Sequence, residues 1–476
     1  MTIEAEVGDN LLEIIRRAEI PINADCSGIK QCGKCLVEVN GRRCLACTRH
    51  VTEDMEVVVC NTSNTEDYEI LVDSSLAIAV ETADQGTEEY GIAVDIGTTT
   101  VVGKLLELGS GNSIASFAEL NSQIAYGADV ISRINCCNDD ASELSSLISS
   151  QIDRGIVKML SEVGIDSSLV KRLVIAGNTT MTYILLNLPC HSLGVVPFKP
   201  AYTYDKSYPY REVFHTTTLE CECLILPFLF AYVGGDLSAG ICALGDENDY
   251  LLMDMGTNGE LVFNHGGRII CTASAAGPAF EGGSIDCGSG STKGAISKVR
   301  MTQDGFGLST IGATEPVSIC GSGLLDLMAE LLRADLVNKS GRIDPSIESR
   351  RIQLTDRVYV SQQDIRQFQL AKSAVRTGIE ILIAEMGDIK PSKVFLAGGF
   401  GQNLDAQNAV TIGLLPKSLA DITCSIGNSS LTGAVKICLN PTLMDSLVDL
   451  TQDATEINLG GHESFEEQFI KNMSFE

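Results

Sequence analysis

The chemistry of this chain begins with a group of cysteines near its start. Five of the 17 cysteines lie between residues 26 and 47. Four thiolates can hold a [2Fe–2S] cluster, and the pattern Cys-x5-Cys-x2-Cys-x11-Cys supplies them as Cys26, Cys32, Cys35 and Cys47. Glycines at positions 28 and 33 fall between these ligands, where the backbone must curl around a cluster and turn N–H groups towards sulfur. The spacing therefore predicts an iron–sulfur site.

Zinc is the alternative occupant of the same cysteines. Cys32-x2-Cys35-x8-Cys44-x2-Cys47 consists of two Cys-x-x-Cys pairs, as in a structural zinc knuckle. Zinc would leave Cys26 unused, whereas a cluster leaves Cys44 spare unless Cys44 replaces one of the four ligands. A glycine-containing loop with three cysteines, followed by a strand and a distant fourth cysteine, favours the cluster. The colour of the purified protein would decide between the two.

Two repeated turns have the composition of phosphate-binding loops. Residues 91–108 and 250–264 each read as an apolar strand, then Asp-x-Gly-Thr, then a second apolar strand. Glycine lets the backbone approach a phosphate, successive N–H groups form a nest, and hydroxyl groups add donors. Each aspartate can hold Mg²⁺ directly or through water. The predicted phosphate ligands are Gly97, Thr98, Thr99, Thr100, Gly256, Thr257 and Asn258, and the predicted Mg²⁺ ligands are Asp95 and Asp254.

A third glycine-rich turn follows much later in the chain. Residues 393–397 read as a strand, and the turn after it contains Gly398, Gly399 and Gly401. Taken alone, this segment is typical of an ordinary strand–helix turn. Placed after two phosphate loops, it becomes the expected adenosine-binding loop.

Several structural elements must position these sites. Residues 1–60 predict a small module, with an apolar helix after residue 10 and a strand at residues 36–41. Residues 61–89 are polar and acidic in patches and predict a linker. Residues 90–440 alternate apolar strands with helices and glycine-rich turns, an α/β pattern, and the repeat within them predicts two duplicated lobes. Residues 441–476 form a C-terminal extension.

The overall composition excludes several kinds of partner. The net charge of −28 repels phosphate backbones and anionic lipid, so nucleic acids and membrane surfaces are poor partners. No stretch has the length and apolar character of a membrane span, and the first residues lack a signal-peptide pattern. Without an export signal, the 17 cysteines are expected to be reduced thiols or metal ligands. We therefore expect a cytoplasmic protein.

The order and the sequences of the three loops resemble those of the ASKHA superfamily, which includes acetate kinase, sugar kinases, heat-shock chaperone ATPases and actin. In that superfamily ATP binds between two lobes. The whole chain is similar to the reductive activators of corrinoid proteins, which pair an N-terminal [2Fe–2S] ferredoxin module with such an ATPase domain. The other motifs that carry this resemblance are residues 175–181, 277–283, 320–324, 369–372 and 397–401. The implied fold is α/β, a two-lobed actin-like (ASKHA) ATPase core with a small N-terminal β-grasp, ferredoxin-like domain.

The resemblance also implies a function. It is the ATP-dependent reductive activation of a corrinoid protein of a methyl-transfer system, with an electron passing from the [2Fe–2S] cluster to cobalt(II) to regenerate cobalt(I). The implied cofactors are the cluster, ATP and Mg²⁺, and the implied partners are the corrinoid protein, a low-potential electron donor and a second copy in a homodimer. Catalysis is assigned to Asp254 and, secondarily, to Asp236, because an acidic residue near that point of the superfamily can orient the attacking water. Helix capping is the alternative role of Asp236.

Two other functions stay open at this point. A small-molecule kinase with an appended redox sensor would form ADP only with a hydroxyl or carboxyl substrate, and would do so without the cluster. A nucleotide switch that holds zinc structurally and recruits a partner would be colourless and would transfer no electron. The visible and EPR spectra, together with metal analysis, would separate these possibilities.

Overall fold

In the computed structural model, the described residues are 1–18, 20–24, 26–30, 32–60, 68–76, 88–137, 140–202, 204, 206–256, 258–303, 305–402 and 404–475. Most of the predicted linker at 61–89 lies outside them. The chain divides into two compact units, Met1–Asp67 with Thr82–Ile225, and Tyr68–Glu81 with Leu226–Glu476. In the described part of the chain, no helix combines the length and the apolar character needed to cross a membrane. The predicted domain boundaries stay a prediction.

The first unit begins with a small helix-and-sheet module. Helix α1 (Leu11–Arg17) starts at Asn10, whose side chain accepts a hydrogen bond from the Leu12 N–H at 3.0 Å. Its apolar residues lie on one face and pack into a core shared with the sheet. The strands are β1 (Leu36–Val39), β2 (Arg42–Leu45) and β3 (Val57–Val59), in the antiparallel order β2-β1-β3.

The remainder of the first unit is an α/β layer. Its elements are β4 (Tyr90–Ile96), β5 (Thr100–Glu107), β6 (Ser113–Leu120), α2 (Val130–Cys137), α3 (Ser142–Val163), β7 (Val170–Gly177), α4 (Thr179–Leu185), α5 (His191–Gly194), β8 (Ser207–Pro209), α6 (Tyr210–Phe214) and β9 (Glu222–Ile225). The strands form a six-stranded sheet in the order β6-β5-β4-β7-β9-β8. Gly103 of β5 and Gly155 of α3 leave room for the Phe117 ring, because a Cβ atom at either position would lie within 2.9 Å of it.

The second unit contains a second six-stranded sheet. Its elements are α7 (Gly235–Leu244), β10 (Asp249–Met255), β11 (Gly259–His265), β12 (Arg268–Ser274), β13 (Ala295–Thr302), β14 (Gly305–Thr310), β15 (Ser318–Ile319), α8 (Gly321–Arg333), β16 (Arg351–Gln353), β17 (Tyr359–Ser361), α9 (Gln362–Glu385), β18 (Lys393–Ala397), α10 (Gly398–Gln402), α11 (Ala406–Thr411), β19 (Thr423–Gly427), α12 (Ser429–Leu439), α13 (Leu443–Asp453), β20 (Thr455–Glu456) and α14 (Phe465–Asn472). The sheet order is β19-β18-β10-β11-β12-β20.

The two large sheets share one topology. In each, three consecutive strands are antiparallel, β4-β5-β6 in the first unit and β10-β11-β12 in the second. In each, the first of these strands then pairs in parallel with a later strand, β7 or β18, which pairs in parallel with β9 or β19. The duplication predicted from the repeated Asp-x-Gly-Thr segments is therefore confirmed.

The last residues of the chain pack against helix α9. Gln369 donates a hydrogen bond to the Met473 carbonyl at 2.8 Å, and the Lys372 ammonium donates to the Ser474 carbonyl at 2.5 Å. Lys372 also lies 5.3 Å from the centre of the Phe475 ring. Phe475 is 2% exposed and belongs to the main apolar core of the second unit.

Candidate functional site

The cysteine-rich loop winds tightly beside helix α1. Ser27, Gly28, Lys30 and Gly33 all have positive φ angles, which bend the backbone between the cysteines. At Gly28, with φ of +90°, a Cβ atom would lie 3.1 Å from the Leu12 side chain. A glycine is required there because any side chain would be strained and crowded.

The four predicted ligand thiols interact with one another. The Cys32 thiol interacts with that of Cys26, and the Cys47 thiol interacts with those of Cys35, Cys26 and Cys32. Burial, followed by the hydrogen bond with Cys35, raises the pKa of Cys47 to about 11. The Lys34 N–H points at the Cys32 sulfur at 3.5 Å, as the curled loop predicts.

These interactions bear on the choice between zinc and a cluster. A zinc knuckle on these residues would use Cys44 and leave Cys26 out, whereas the Cys26 thiol interacts with those of Cys32 and Cys47. Two thiols on each of two irons is the arrangement of a [2Fe–2S] cluster. Cys44 lies on β2 opposite Val37 and packs against the module core. The donor set therefore favours the cluster over zinc.

The first predicted phosphate loop joins β4 to β5. Asp95 lies near the end of β4, and the Gly97 N–H donates to the Thr100 carbonyl at 2.8 Å. A Cβ atom at position 97 would lie 2.8 Å from that same oxygen, so the turn requires glycine. The Thr98 hydroxyl accepts a hydrogen bond from the Asn178 side chain at 3.1 Å.

Three residues that the sequence did not single out hold this loop in place. Asn121 donates from its side chain to the Gly97 carbonyl at 2.8 Å and from its backbone to the Thr99 carbonyl at 2.9 Å. The buried Arg133 guanidinium donates to the Thr98 carbonyl. The third is Asn178, which lies in the motif at residues 175–181 but was not predicted to have this role.

The second predicted phosphate loop lies beside the glycine-rich turn. Strand β10 runs parallel to β18, with Asp254 opposite Ala397, so both strands end at the same edge of the sheet. Gly398 has φ of +78°, and a Cβ atom there would lie 2.7 Å from Asp254 Oδ1. The Gly256 N–H donates to the Asn258 carbonyl at 3.0 Å, and Thr257 lies outside the described residues.

The turn that begins at Gly398 opens helix α10. A Cβ atom at Gly399 would meet no atom within 4 Å, so this face of the turn is open. At Gly401 a Cβ atom would lie 3.2 Å from Leu396, so this glycine faces the strand instead. The Phe400 ring stacks on Phe280 at 4.9 Å and anchors the turn to the core.

Asp254 belongs to a group of three carboxylates. Asp236 lies in the first turn of α7 and accepts a hydrogen bond from the Leu237 N–H at 2.8 Å. Glu260 lies directly across the β10–β11 pair from Asp254. Burial raises the pKa of Glu260 well above its usual range, and the charges of Asp236 and Asp254 raise it further. No group of three or more His, Cys, Asp or Glu side chains in the described ranges converges on one point, but Mg²⁺ usually takes only one or two carboxylates together with several waters.

The structure thus brings several of the predicted residues together in the second unit. In the second unit, Asp236, Asp254 and Gly398 are neighbours, and Glu260 joins them. Glu260 could have been identified from the sequence. A strand, a short turn and a second strand predict an antiparallel pair, and its register sets residues 254 and 260 opposite each other. In the first unit, the Asp95 loop and the cysteine module are both present.

Three family models match consecutive parts of the chain. Residues 1–63 match a 2Fe-2S iron–sulfur cluster binding domain. Residues 90–248 match the middle region of RACo, and residues 248–476 match the C-terminal ASKHA domain of RACo. The predicted α/β ASKHA core with a ferredoxin-like N-terminal domain is confirmed.

Individual relatives agree with these models. Corrinoid activation enzyme RamQ of Eubacterium limosum is 32% identical over 417 residues, which cover 81% of this chain and 70% of the relative. The [Co(II) methylated amine-specific corrinoid protein] reductase of Methanosarcina barkeri is 24% identical over 81% of this chain and 77% of its own. The solved structure of a reductive activator for a corrinoid iron–sulfur protein superposes with a TM-score of 0.72 at 26% identity, covering 99% of this chain and 96% of that one. The chain belongs to the family of reductive activators of corrinoid proteins.

Proposed function

We propose that this protein activates a corrinoid protein by ATP-dependent transfer of one electron from a [2Fe–2S] cluster to cobalt(II), which regenerates cobalt(I). The relatives are named for work on corrinoid proteins, which supports this class of partner. The observation that carries the proposal is the match of residues 1–63, with their four interacting thiols, to a 2Fe-2S cluster binding domain in a chain that also contains an ASKHA domain.

Four cysteines would hold the cluster. Cys26, Cys32, Cys35 and Cys47 would be the ligands, since their thiols interact with one another. The cluster would supply one-electron redox chemistry at a low potential, about −400 mV for plant-type centres. Burial of Cys35 and Cys47, at 1% and 4% exposure, keeps water from that side of the site.

The second unit would bind Mg²⁺ and nucleotide. Asp254 would hold Mg²⁺, and Asp236 would orient a water molecule. Both carboxylates lie close to Glu260, and a bound cation would offset the repulsion among these groups. The open face of the turn at Gly398–Gln402 would lie against adenosine. The backbone of Gly256 and Asn258 would contact phosphate. Asp95 and residues 97–100 of the first unit are proposed as Mg²⁺ and phosphate ligands on their loop geometry.

ATP hydrolysis would assist an electron transfer that is unfavourable by itself. For one electron, each ~59 mV of uphill potential costs a factor of ten, so a ~100 mV gap leaves about one acceptor in fifty reduced. A ligand shifts such an equilibrium only if it binds two conformations differently, and ATP and ADP provide that difference. We further propose a low-potential electron donor, a homodimer and a cytoplasmic location.

Reduction of a purified cobalt(II) corrinoid protein tests the proposal. The protein is prepared without oxygen and assayed for iron, sulfide and the visible and EPR spectra of the cluster. With a low-potential donor and MgATP, cobalt(I) should appear in the visible spectrum. Cys32→Ser should abolish the reaction, whereas Cys44→Ser should retain both cluster and activity.

Three results would contradict the proposal. They are a colourless zinc protein, cobalt(I) formation without ATP, and full activity of Cys32→Ser. ADP formation that requires a small hydroxyl or carboxyl substrate would favour the kinase instead.

A further inference from the structure

Residues 121–137 contact both the phosphate loop and the cysteine module of the first unit. We call this stretch the bridging segment; it contains a short helical turn at Ser122–Ala125 and ends in helix α2. Hydrogen bonds within the segment make it compact. The Cys136 thiol donates to the Tyr126 carbonyl at 3.2 Å, and Arg133 Nε donates to the Gly127 carbonyl at 3.0 Å.

One side of the bridging segment holds the phosphate loop. Asn121 binds the carbonyls of Gly97 and Thr99, and Arg133 binds the carbonyl of Thr98. Arg133 is fully buried, and its guanidinium also donates to the Gln123 side chain at 3.1 Å. A buried guanidinium is a rigid fork of donors, so it cannot follow a shift of the Thr98 carbonyl without moving its helix.

The other side of the segment holds the cysteine module. The Ser27 hydroxyl donates to the Ser132 carbonyl at 3.3 Å and lies 3.1 Å from the Cys136 sulfur. Arg16 donates to the Ala125 carbonyl at 2.7 Å, and its guanidinium lies 4.7 Å from the centre of the Tyr126 ring. Ser27 directly follows the predicted ligand Cys26.

We propose that the bridging segment couples the phosphate loop to the cysteine loop, with Arg133 and Ser27 as positioning residues at its two ends. The inference rests on the proposed function, since it requires both a cluster and a nucleotide. Contacts around the sulfur ligands help to set the potential of a cluster. A nucleotide that shifts the Thr98 carbonyl therefore changes the cluster through Arg133, helix α2 and Ser27.

Thermodynamic reciprocity gives this coupling a quantitative signature. If nucleotide changes the ratio of oxidised to reduced cluster, reduction must change nucleotide affinity by the same factor. We expect a factor of about fivefold, at the lower end of usual coupling. For one electron this corresponds to a shift of about 40 mV in the potential.

The experiment uses the full-length, cluster-loaded protein under anaerobic conditions. The cluster potential is measured by EPR-monitored titration with no nucleotide, with ADP and with AMP-PNP, and ADP affinity is measured in both redox states by calorimetry. In Ser27→Ala the nucleotide-induced change in the ratio of oxidised to reduced cluster should fall below about twofold. The visible spectrum and the ADP affinity of the oxidised protein should stay unchanged. Arg133→Lys, which retains the charge but not the fork, should lose the shift in the same way.

Thr48→Ala is the matched control for Ser27→Ala. Thr48 directly follows the predicted ligand Cys47, but its hydroxyl donates to the Leu45 carbonyl at 2.9 Å, within the module. This variant should keep the full nucleotide-induced shift. Since Arg133 is buried, instability of its variant would leave Ser27→Ala to decide.

The outcomes separate this inference from the proposed function. A protein that binds both cluster and ADP but shows no shift overturns the coupling and leaves the proposed function intact. A shift that is equal in Ser27→Ala, Thr48→Ala and the unaltered protein overturns the route through Ser27. A protein that binds no cluster or no nucleotide overturns both.

Discussion

Replacing Gly398 by alanine tests whether the glycine-rich turn and Asp254 act as one unit. Gly398 has φ of +78°, and an added Cβ atom would lie 2.7 Å from Asp254 Oδ1. That separation is shorter than a normal carbon–oxygen contact, so the carboxylate would have to move away. The left-handed backbone adds ~1–2 kcal/mol of strain.

The size of the effect follows from how far Asp254 is displaced. A shift of about 1 Å in a group that positions reactants can slow turnover about 100-fold. We therefore expect kcat/KM for ATP hydrolysis to fall about 10- to 100-fold in Gly398→Ala, or about 1.4–2.7 kcal/mol. The assay is steady-state ADP formation by the cluster-loaded protein, with thermal melting recorded in parallel.

Gly387→Ala is the control for backbone strain alone. Gly387 also has a positive φ of +86°, but a Cβ atom there would meet no atom within 4 Å. We expect a similar loss of thermal stability and an unchanged kcat/KM. The reasoning would be refuted if kcat/KM for ATP hydrolysis in Gly398→Ala lay within about twofold of that in Gly387→Ala. The contact between the turn and Asp254 would then have no effect on ATP hydrolysis.

Three further changes test packing, hydrogen bonding and charge. Gly103→Ala would place a Cβ atom 2.2 Å from the Phe117 ring; urea denaturation should show a loss of ~1–3 kcal/mol that Phe117→Leu recovers in the double variant, and an unaltered midpoint would contradict this. Asn178→Ala removes both the cap of α4 and the donor to Thr98, so the free energy of unfolding should fall by about 1 kcal/mol. Asn178→Asp keeps the cap but not the donor. Calorimetry should show that both variants bind ADP more weakly. Burial raises the pKa of Glu380, but the hydrogen bonds and positive charges around it outweigh burial and lower that pKa below its usual value of 4.5. Its contribution to stability is therefore present above pH 4.5 and lost as the pH falls through the folded-state pKa, and Glu380→Gln should flatten the acid limb of the stability–pH curve.

The chemistry-bearing loops were predictable because their signals are local. The cysteine spacing, the two Asp-x-Gly-Thr turns and the late glycine-rich turn each lie within a short window of sequence. The duplicated sheets were predictable from the repeat, because a second copy of a strand–turn–strand unit must bury its apolar faces in the same way. The assignment of ligand and catalytic roles to these residues stays a prediction.

The supports of these loops were not predictable in the same way. Asn121 and Arg133 lie 24 and 35 residues from the carbonyls of Gly97 and Thr98 that they bind. Nothing near them in sequence marks a backbone carbonyl as their acceptor, because only the folded chain brings the two together. The contact between Gly398 and Asp254 likewise depends on the parallel pairing of β10 with β18.

The packing of Phe475 into the main core of the second unit has a consequence for biosynthesis. That core also depends on α9, whose Gln369 and Lys372 donate hydrogen bonds to the carbonyls of residues 473 and 474. Until residue 475 has left the ribosome, the nascent unit has a buried lysine without this acceptor and an apolar surface without its cover. The second unit therefore cannot complete its folding before residue 475 has emerged, and chaperones would meet that unit with its core still open.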